Sequence, residues 1–135
     1  MPNETIQPDE LFQSTGFGYS QVVKAPPGPT LYLSGQGGFD KGFQIVGEDD
    51  VGAQAKQALS NVGHALAAAG ATPANLTSLR IYVVDYTPEH MGPIGAALAE
   101  FLDGAVPPAQ TLIGVQALGL PAMRIEIEAT AVLEP

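Results

Sequence analysis

The sequence predicts an α+β domain in which one β-sheet carries two helices on a single face. Two segments repeat apolar residues at helical intervals, running from Val51 to Ala69 and from Met91 to Ala105. The remaining apolar residues fall in short β-prone runs with alternating character. Clusters of Pro and Gly separate these runs, and the 16 Gly and 12 Pro show no collagen-like period.

In chain order, residues 1–16 are polar and aperiodic, a lead-in available for pairing at a sheet edge. Tyr19 to Ala25 is β-prone and closes on Pro26-Pro27-Gly28-Pro29, which predicts a hairpin-like return into Thr30–Gln36. In that second run Leu31 and Leu33 share one face, and Tyr32, Ser34 and Gln36 the other. Glu48, Asp49 and Asp50 place negative charge where the first helix starts, and Gly70 stops it. Leu76 to Asp85 returns to strand chemistry. Thr87-Pro88-Glu89 opens the second helix with a hydroxyl cap, a Pro and an acid. Met91, Ile94, Leu98, Phe101 and Ala105 form its buried stripe. Val106-Pro107-Pro108 ends it, because a residue before Pro resists helical angles. Thr111–Leu118 and Arg124–Leu133 read as the last two strands. In the final one Ile125, Ile127, Ala129, Ala131 and Leu133 alternate with Glu126, Glu128, Thr130 and Val132.

The order is therefore ββ–α–β–α–ββ, with both helices on one sheet face. The other face carries Tyr32, Tyr82, Val84, Ile113, Val115 and Val132, and two helices cannot cover both sides. Self-association is the expected cover. A charged fraction of only 14% points the same way.

Composition narrows the function classes. At 135 residues, residues 1–135 are expected to form one domain, whose folding removes roughly 68–70% of the unfolded surface. A hydrophobic content of 45% excludes a disordered chain. No apolar run reaches the roughly 20 residues of a membrane helix, and the start lacks export-signal character. A cytoplasmic location is expected. Five Lys+Arg against 14 Asp+Glu give a net charge of −9. Lys24, Lys41, Lys56, Arg80 and Arg124 lie scattered, with no basic stripe for a phosphate backbone, so neither nucleic acid nor membrane is expected as a partner. The absence of Cys excludes disulfides, thiolate nucleophiles and zinc ribbons.

No phosphate-loop, dinucleotide or metalloprotease motif occurs, and no helix follows Ser34-Gly35-Gln36-Gly37-Gly38 closely enough to form a phosphate cradle. His64 and His90 read as surface histidines, and two isolated His without Cys make no metal site. Glu126 and Glu128 point the same way from one strand. Their pattern fits a solvated face, yet on a face covered by a partner they become acid–base candidates. Tyr19 and Ser34 are polar groups from the first two strands that could converge on the same cleft; singly, each fits a structural hydroxyl.

These residues resemble the RidA/YjgF family, also labelled endoribonuclease L-PSP. Gly18-Tyr19-Ser20-Gln21 and Ser34-Gly35-Gln36 resemble its opening, and Gln54–Asn61 with Gly63-His64-Ala65-Leu66 its first helix. Arg80-Ile81-Tyr82-Val83-Val84-Asp85 is similar to its third strand. Pro107-Pro108-Ala109 and Arg124-Ile125-Glu126-Ile127-Glu128-Ala129 match its last two. The resemblance spans about Gly16 to Leu133. It implies a chorismate-mutase-like homotrimer with a central β-barrel, and clefts between subunits where reactive enamines or imines are hydrolysed without a cofactor. It puts the family's tyrosine on Tyr19, its serine on Ser34 and its water-orienting glutamate on Glu126. The carboxylate-binding arginine falls on Gln110, and the second-helix asparagine on Gly95. Gln110 implies a branch lacking that arginine, because a neutral amide cannot reproduce a bidentate charged fork.

Three functions are therefore expected, in falling order. The first is hydrolysis of an imine or enamine without a carboxylate beside the reacting carbon, with Glu126 catalytic and Tyr19, Ser34 and Gln110 binding substrate. The second is trimeric small-molecule binding without turnover, and the third is the family's endoribonuclease or translation-inhibitor label.

Overall fold

The computed structural model describes residues 3–134. The strands are β1 (Glu4–Ile6), β2 (Val22–Lys24), β3 (Thr30–Gly37), β4 (Leu76–Val84), β5 (Ala109–Val115) and β6 (Ile125–Val132). Helix α1 spans Val51–Ala68 and α2 spans Met91–Leu102. The main sheet has the order β3-β6-β4-β5. β6 is antiparallel to both β3 and β4, so those two strands run the same way, and β5 is parallel to β4. Each change between same-direction strands requires a crossover, and α1 and α2 supply one apiece. Both helices pack on one sheet face, as the sequence predicts. There Leu59, Leu66 and Ile94 meet Leu79, Ile81 and Ile127 in one continuous core.

The helix ends follow from local chemistry. The Asp50 carboxylate accepts the Ala53 N–H at 3.0 Å, capping α1. Gly70, at φ +79°, takes the left-handed turn that ends it. The second helix differs from its sequence pattern at both ends. Pro88–His90 form a 3₁₀ turn before α2, and Met91 is 53% exposed, outside the buried stripe. The His90 imidazole turns back to accept the Thr87 N–H through Nδ1 at 3.2 Å, which gives this histidine a structural task. Asp103 then ends α2 at φ 46°, so Ala105 lies beyond it.

Three strand expectations are corrected by pairing. β2 does not return as a hairpin onto β3; it pairs with β1, from the lead-in, as a separate two-stranded sheet. β5 starts two residues early and stops at Val115, since its register with β4 runs from Ser78 to Val84 and ends there. In β3, Leu33 lies opposite Ala129 and Gln36 opposite Ile127, so three steps on β3 match two on β6. That bulge leaves Ser34 on the open face with Tyr32 and turns Gln36 to the helix side.

The open face carries Tyr32, 84% exposed, beside the outward residues of β4, β5 and β6. Val84 and Val132 on these strands are buried even in one chain. The helix-facing residues of β6 are at most 2% exposed, so Ile127→Ala is expected to destabilise the fold by about 2–5 kcal/mol, read by urea unfolding.

Candidate functional site

The site residues expected from the sequence occupy two places. Tyr19 and Gln110 line one cavity of about 570 Å³ at the edge strand β5. Its walls are Phe12, Phe17, Tyr19 and Tyr86, with Met91 and Leu112. Ser34 and Glu126 lie on the open sheet face, on β3 and β6. At the usual strand spacing of about 4.8 Å, β3 and β5 lie roughly 14 Å apart in this sheet. Gln110 is opposite Leu79, a core-facing residue, so its side chain leaves the sheet from the face opposite to that of Glu126. One chain brings the four residues together only as two pairs.

The first pair is built by the lead-in segment. Ser14 is fully buried, and its hydroxyl donates to the Tyr19 carbonyl at 2.7 Å while accepting from Gln7 Nε2 at 3.0 Å. Gln7 in turn accepts the Gln21 N–H at 2.6 Å. Ser20, 1% exposed, donates its hydroxyl to the Pro107 carbonyl and its N–H to that of Pro108 at 3.0 Å. The loop bearing Tyr19 is thereby tied to the double proline that precedes Gln110. The described part of the lead-in, residues 3–16, thus has a constructive role that its polar, aperiodic sequence does not signal. Buried serine hydroxyls leave no periodic trace.

Aromatic packing shapes the rest. Phe12 meets Phe17 edge-on at 6.0 Å and Tyr19 at 6.4 Å. Gln110 Oε1 is buried and accepts no hydrogen bond from any described residue. Among the described residues, no side chain lining this cavity is charged.

The second pair depends on a glycine. A Cβ at Gly35 would overlap the Glu126 carboxylate, so only glycine lets that carboxylate lie across the bulge of β3. The two glutamates differ. Tyr82 donates its hydroxyl to Glu128 Oε1 at 3.2 Å, whereas Glu126 accepts no hydrogen bond within the described chain. The start of β6 is fixed by Gln54, which is fully buried and not signalled as polar core by the helical pattern. Its amide donates to the Gly47 and Ala122 carbonyls at 3.1 and 3.0 Å and accepts the Arg124 N–H at 2.8 Å. The Arg124 guanidinium bonds Asp49 at 2.8 Å, and this hydrogen bond raises its pKa above the ordinary arginine value.

Behind β3, on the helix side, lies a larger cavity of about 820 Å³ that includes Gln36, Lys41, Asn61 and His64. His64 is exposed at its rim, consistent with a surface histidine. Among the described residues no cluster of His, Cys, Asp and Glu could hold a metal ion. No described helix is long and apolar enough to cross a membrane.

A mixed four-stranded sheet with two crossover helices on one face is the architecture of YjgF/Rid proteins. The chain belongs to the endoribonuclease L-PSP family, also called YjgF/RidA, whose model matches residues 13–133. It is similar to YyfB from Yersinia pestis, a protein of unknown function of the conserved Rid family. The two share 43% identity and a TM-score of 0.95, over 98% of this chain and all of that one. It is also similar to Rv2704 of Mycobacterium tuberculosis, a YjgF/YER057c/UK114 family member, at 29% identity and TM-score 0.65, covering 97% and 99% of the two chains. The 2-iminobutanoate/2-iminopropanoate deaminase of Mus musculus is 33% identical over 118 residues, 87% of this chain and 82% of that protein.

Proposed function

We propose that this protein hydrolyses reactive imines, or the enamines that tautomerise to them, in clefts between the subunits of a homotrimer. The observation that carries this reading is the division of the site. Tyr19 and Gln110 sit at one edge of the sheet, and Ser34 and Glu126 on its open face. A small substrate can touch all four only where one copy presents its edge to the open face of another. The exposed Tyr32 lies on that open face and needs a cover. The deaminase relatives support the reaction type.

In the proposed reaction the water oxygen bonds to the imine carbon, the C–N bond breaks, and the nitrogen leaves as ammonia with both water protons. Glu126 takes a proton from that water and returns it to the nitrogen. Its carboxylate is free to do so, whereas that of Glu128 is engaged by Tyr82. Ser34 and Tyr19 orient the substrate. Gln110 stands where the family resemblance puts a carboxylate-binding arginine, so the substrate lacks a carboxylate beside the reacting carbon.

Subunit mixing tests the reading. Glu126→Gln and Tyr19→Phe chains are each expected to be deficient in ammonia release. When they are unfolded together and refolded, the mixed trimers should recover activity, because some clefts then combine two intact halves. Sedimentation should report three chains per particle. A folded single copy at working concentration, or mixing without recovery, would overturn the shared cleft.

A non-catalytic binder is the second reading, favoured by the neutral Gln110, and it predicts ligand-induced thermal stabilisation without product. The endoribonuclease label finds little support in the charge distribution. Lys24, Lys56 and Arg124 are already in ion pairs with Glu4, Glu100 and Asp49, leaving few free cations for a phosphate backbone.

A further inference from the structure

We infer that Ser14 and Gln7 are positioning residues for the substrate, which they do not touch, and that both act by fixing Tyr19. Neither side chain lines the cavity that Tyr19 lines. This assignment rests on the hydrolase reading for the purpose of Tyr19, while the hydrogen bonds that carry it lie within one chain.

Ser14 holds the Tyr19 backbone from both sides. Its carbonyl accepts the Tyr19 N–H at 3.4 Å, and its hydroxyl donates to the Tyr19 carbonyl at 2.7 Å. The chain can double back this sharply because Gly18 lies at φ +91°, in the left-handed region. Gln7 closes the arrangement with a single amide. Its nitrogen donates to Ser14 Oγ at 3.0 Å, and its oxygen accepts the Gln21 N–H at 2.6 Å. Between them the Ser20 N–H donates to the Pro108 carbonyl at 3.0 Å. Each backbone N–H from Tyr19 to Gln21 thus has its own partner, on Ser14, Pro108 and Gln7 in turn.

Bulk stability is a poor account of this network. Ser14 and Ser20 are almost wholly buried, and each of their hydrogen bonds only replaces one made to water in the unfolded chain. What a fully satisfied buried network adds is a single geometry, since any displaced partner leaves a polar atom stranded. The side chain aimed by that geometry is Tyr19, which Phe12 of the same lead-in meets edge-on at 6.4 Å. A group that orients substrate must stay within about 0.5 Å of its productive place, and a misplacement of about 1 Å lowers rates by about 10²-fold. Without the Ser14 hydroxyl, the Tyr19 carbonyl and the Gln7 amide both lose a partner. The loop then relaxes and carries the Tyr19 ring with it, leaving Glu126 undisturbed on the other half of the site.

Ser14→Ala is expected to raise KM for in-situ generated imines about tenfold, with kcat and the pH profile little changed, because the proton chemistry belongs to Glu126. A double variant separates aim from general loosening. In a Tyr19→Ala chain, adding Ser14→Ala should cause no further fall in kcat/KM, since no side chain remains to be aimed. Equal factors lost in both backgrounds would overturn the assignment, as would an unchanged KM for Ser14→Ala. Gln7→Leu keeps Ser14 and is expected to show the same pattern at a smaller factor, so it serves if Ser14→Ala fails to fold. An unchanged KM for Gln7→Leu would remove Gln7 from the assignment. Carbon-13 labels in the tyrosine rings give a readout that needs no turnover. Either variant should shift or broaden the Tyr19 signal and leave those of Tyr32 and Tyr82, on the open face, in place. An unmoved Tyr19 signal would overturn the assignment whether or not ammonia is released. A moved signal in a protein that releases no ammonia from any imine upholds the hold on Tyr19 and removes the hydrolase reading.

Discussion

Glu126→Gln is expected to lower ammonia release from in-situ generated imines by about 10²- to 10⁴-fold, the range typical of a lost general base. The amide keeps the size of the side chain and its place across Gly35, so the loss would report on the proton alone. The neighbouring carboxylate supplies the control. Glu128 projects from the same strand face but accepts the Tyr82 hydroxyl at 3.2 Å, and Glu128→Gln should change the rate only a few-fold. Comparable losses from both variants would point to the charge of the face rather than to a particular base. Equal rates for Glu126→Gln and the unaltered protein would remove Glu126 from the chemistry.

Gln110→Arg is expected to redirect the site. A charge-assisted hydrogen bond contributes about 1.5–3 kcal/mol and a neutral one about 0.5–1.5, so a carboxylate-bearing substrate should gain roughly tenfold or more in kcat/KM. The test substrate is 2-iminopropanoate generated in situ. A gain on the imino acid would show that the remaining machinery is intact and that position 110 sets the preference. No gain, with the fold preserved, would mean that more than one residue separates this chain from the 2-imino acid deaminases.

Part of the site could be read from the chain in advance. The alternation Ile125-Glu126-Ile127-Glu128 fixes which side of β6 is apolar, because a strand has period two and the core accepts only the isoleucines. The pattern could not tell the two glutamates apart. Tyr82 is 46 positions from Glu128, and only the antiparallel register of β4 and β6 brings its hydroxyl to that carboxylate. Nor could Gly35 be recognised as the residue that accommodates Glu126, since the bulge of β3 exists only in its pairing with β6.

By itself the sequence determined the two crossover helices, the places of the four main-sheet strands and the sidedness of β4, β5 and β6, through local periodicity and caps that act within a few residues. Tertiary structure decided the rest. It paired the lead-in with β2, turned Gln36 to the helices, buried Ser14, Ser20 and Gln54 as organisers of distant loops, and set Tyr19 beside Gln110 but away from Glu126. These outcomes depend on contacts between residues far apart in the chain, where a buried polar atom must find its partner wherever the packed backbone presents one.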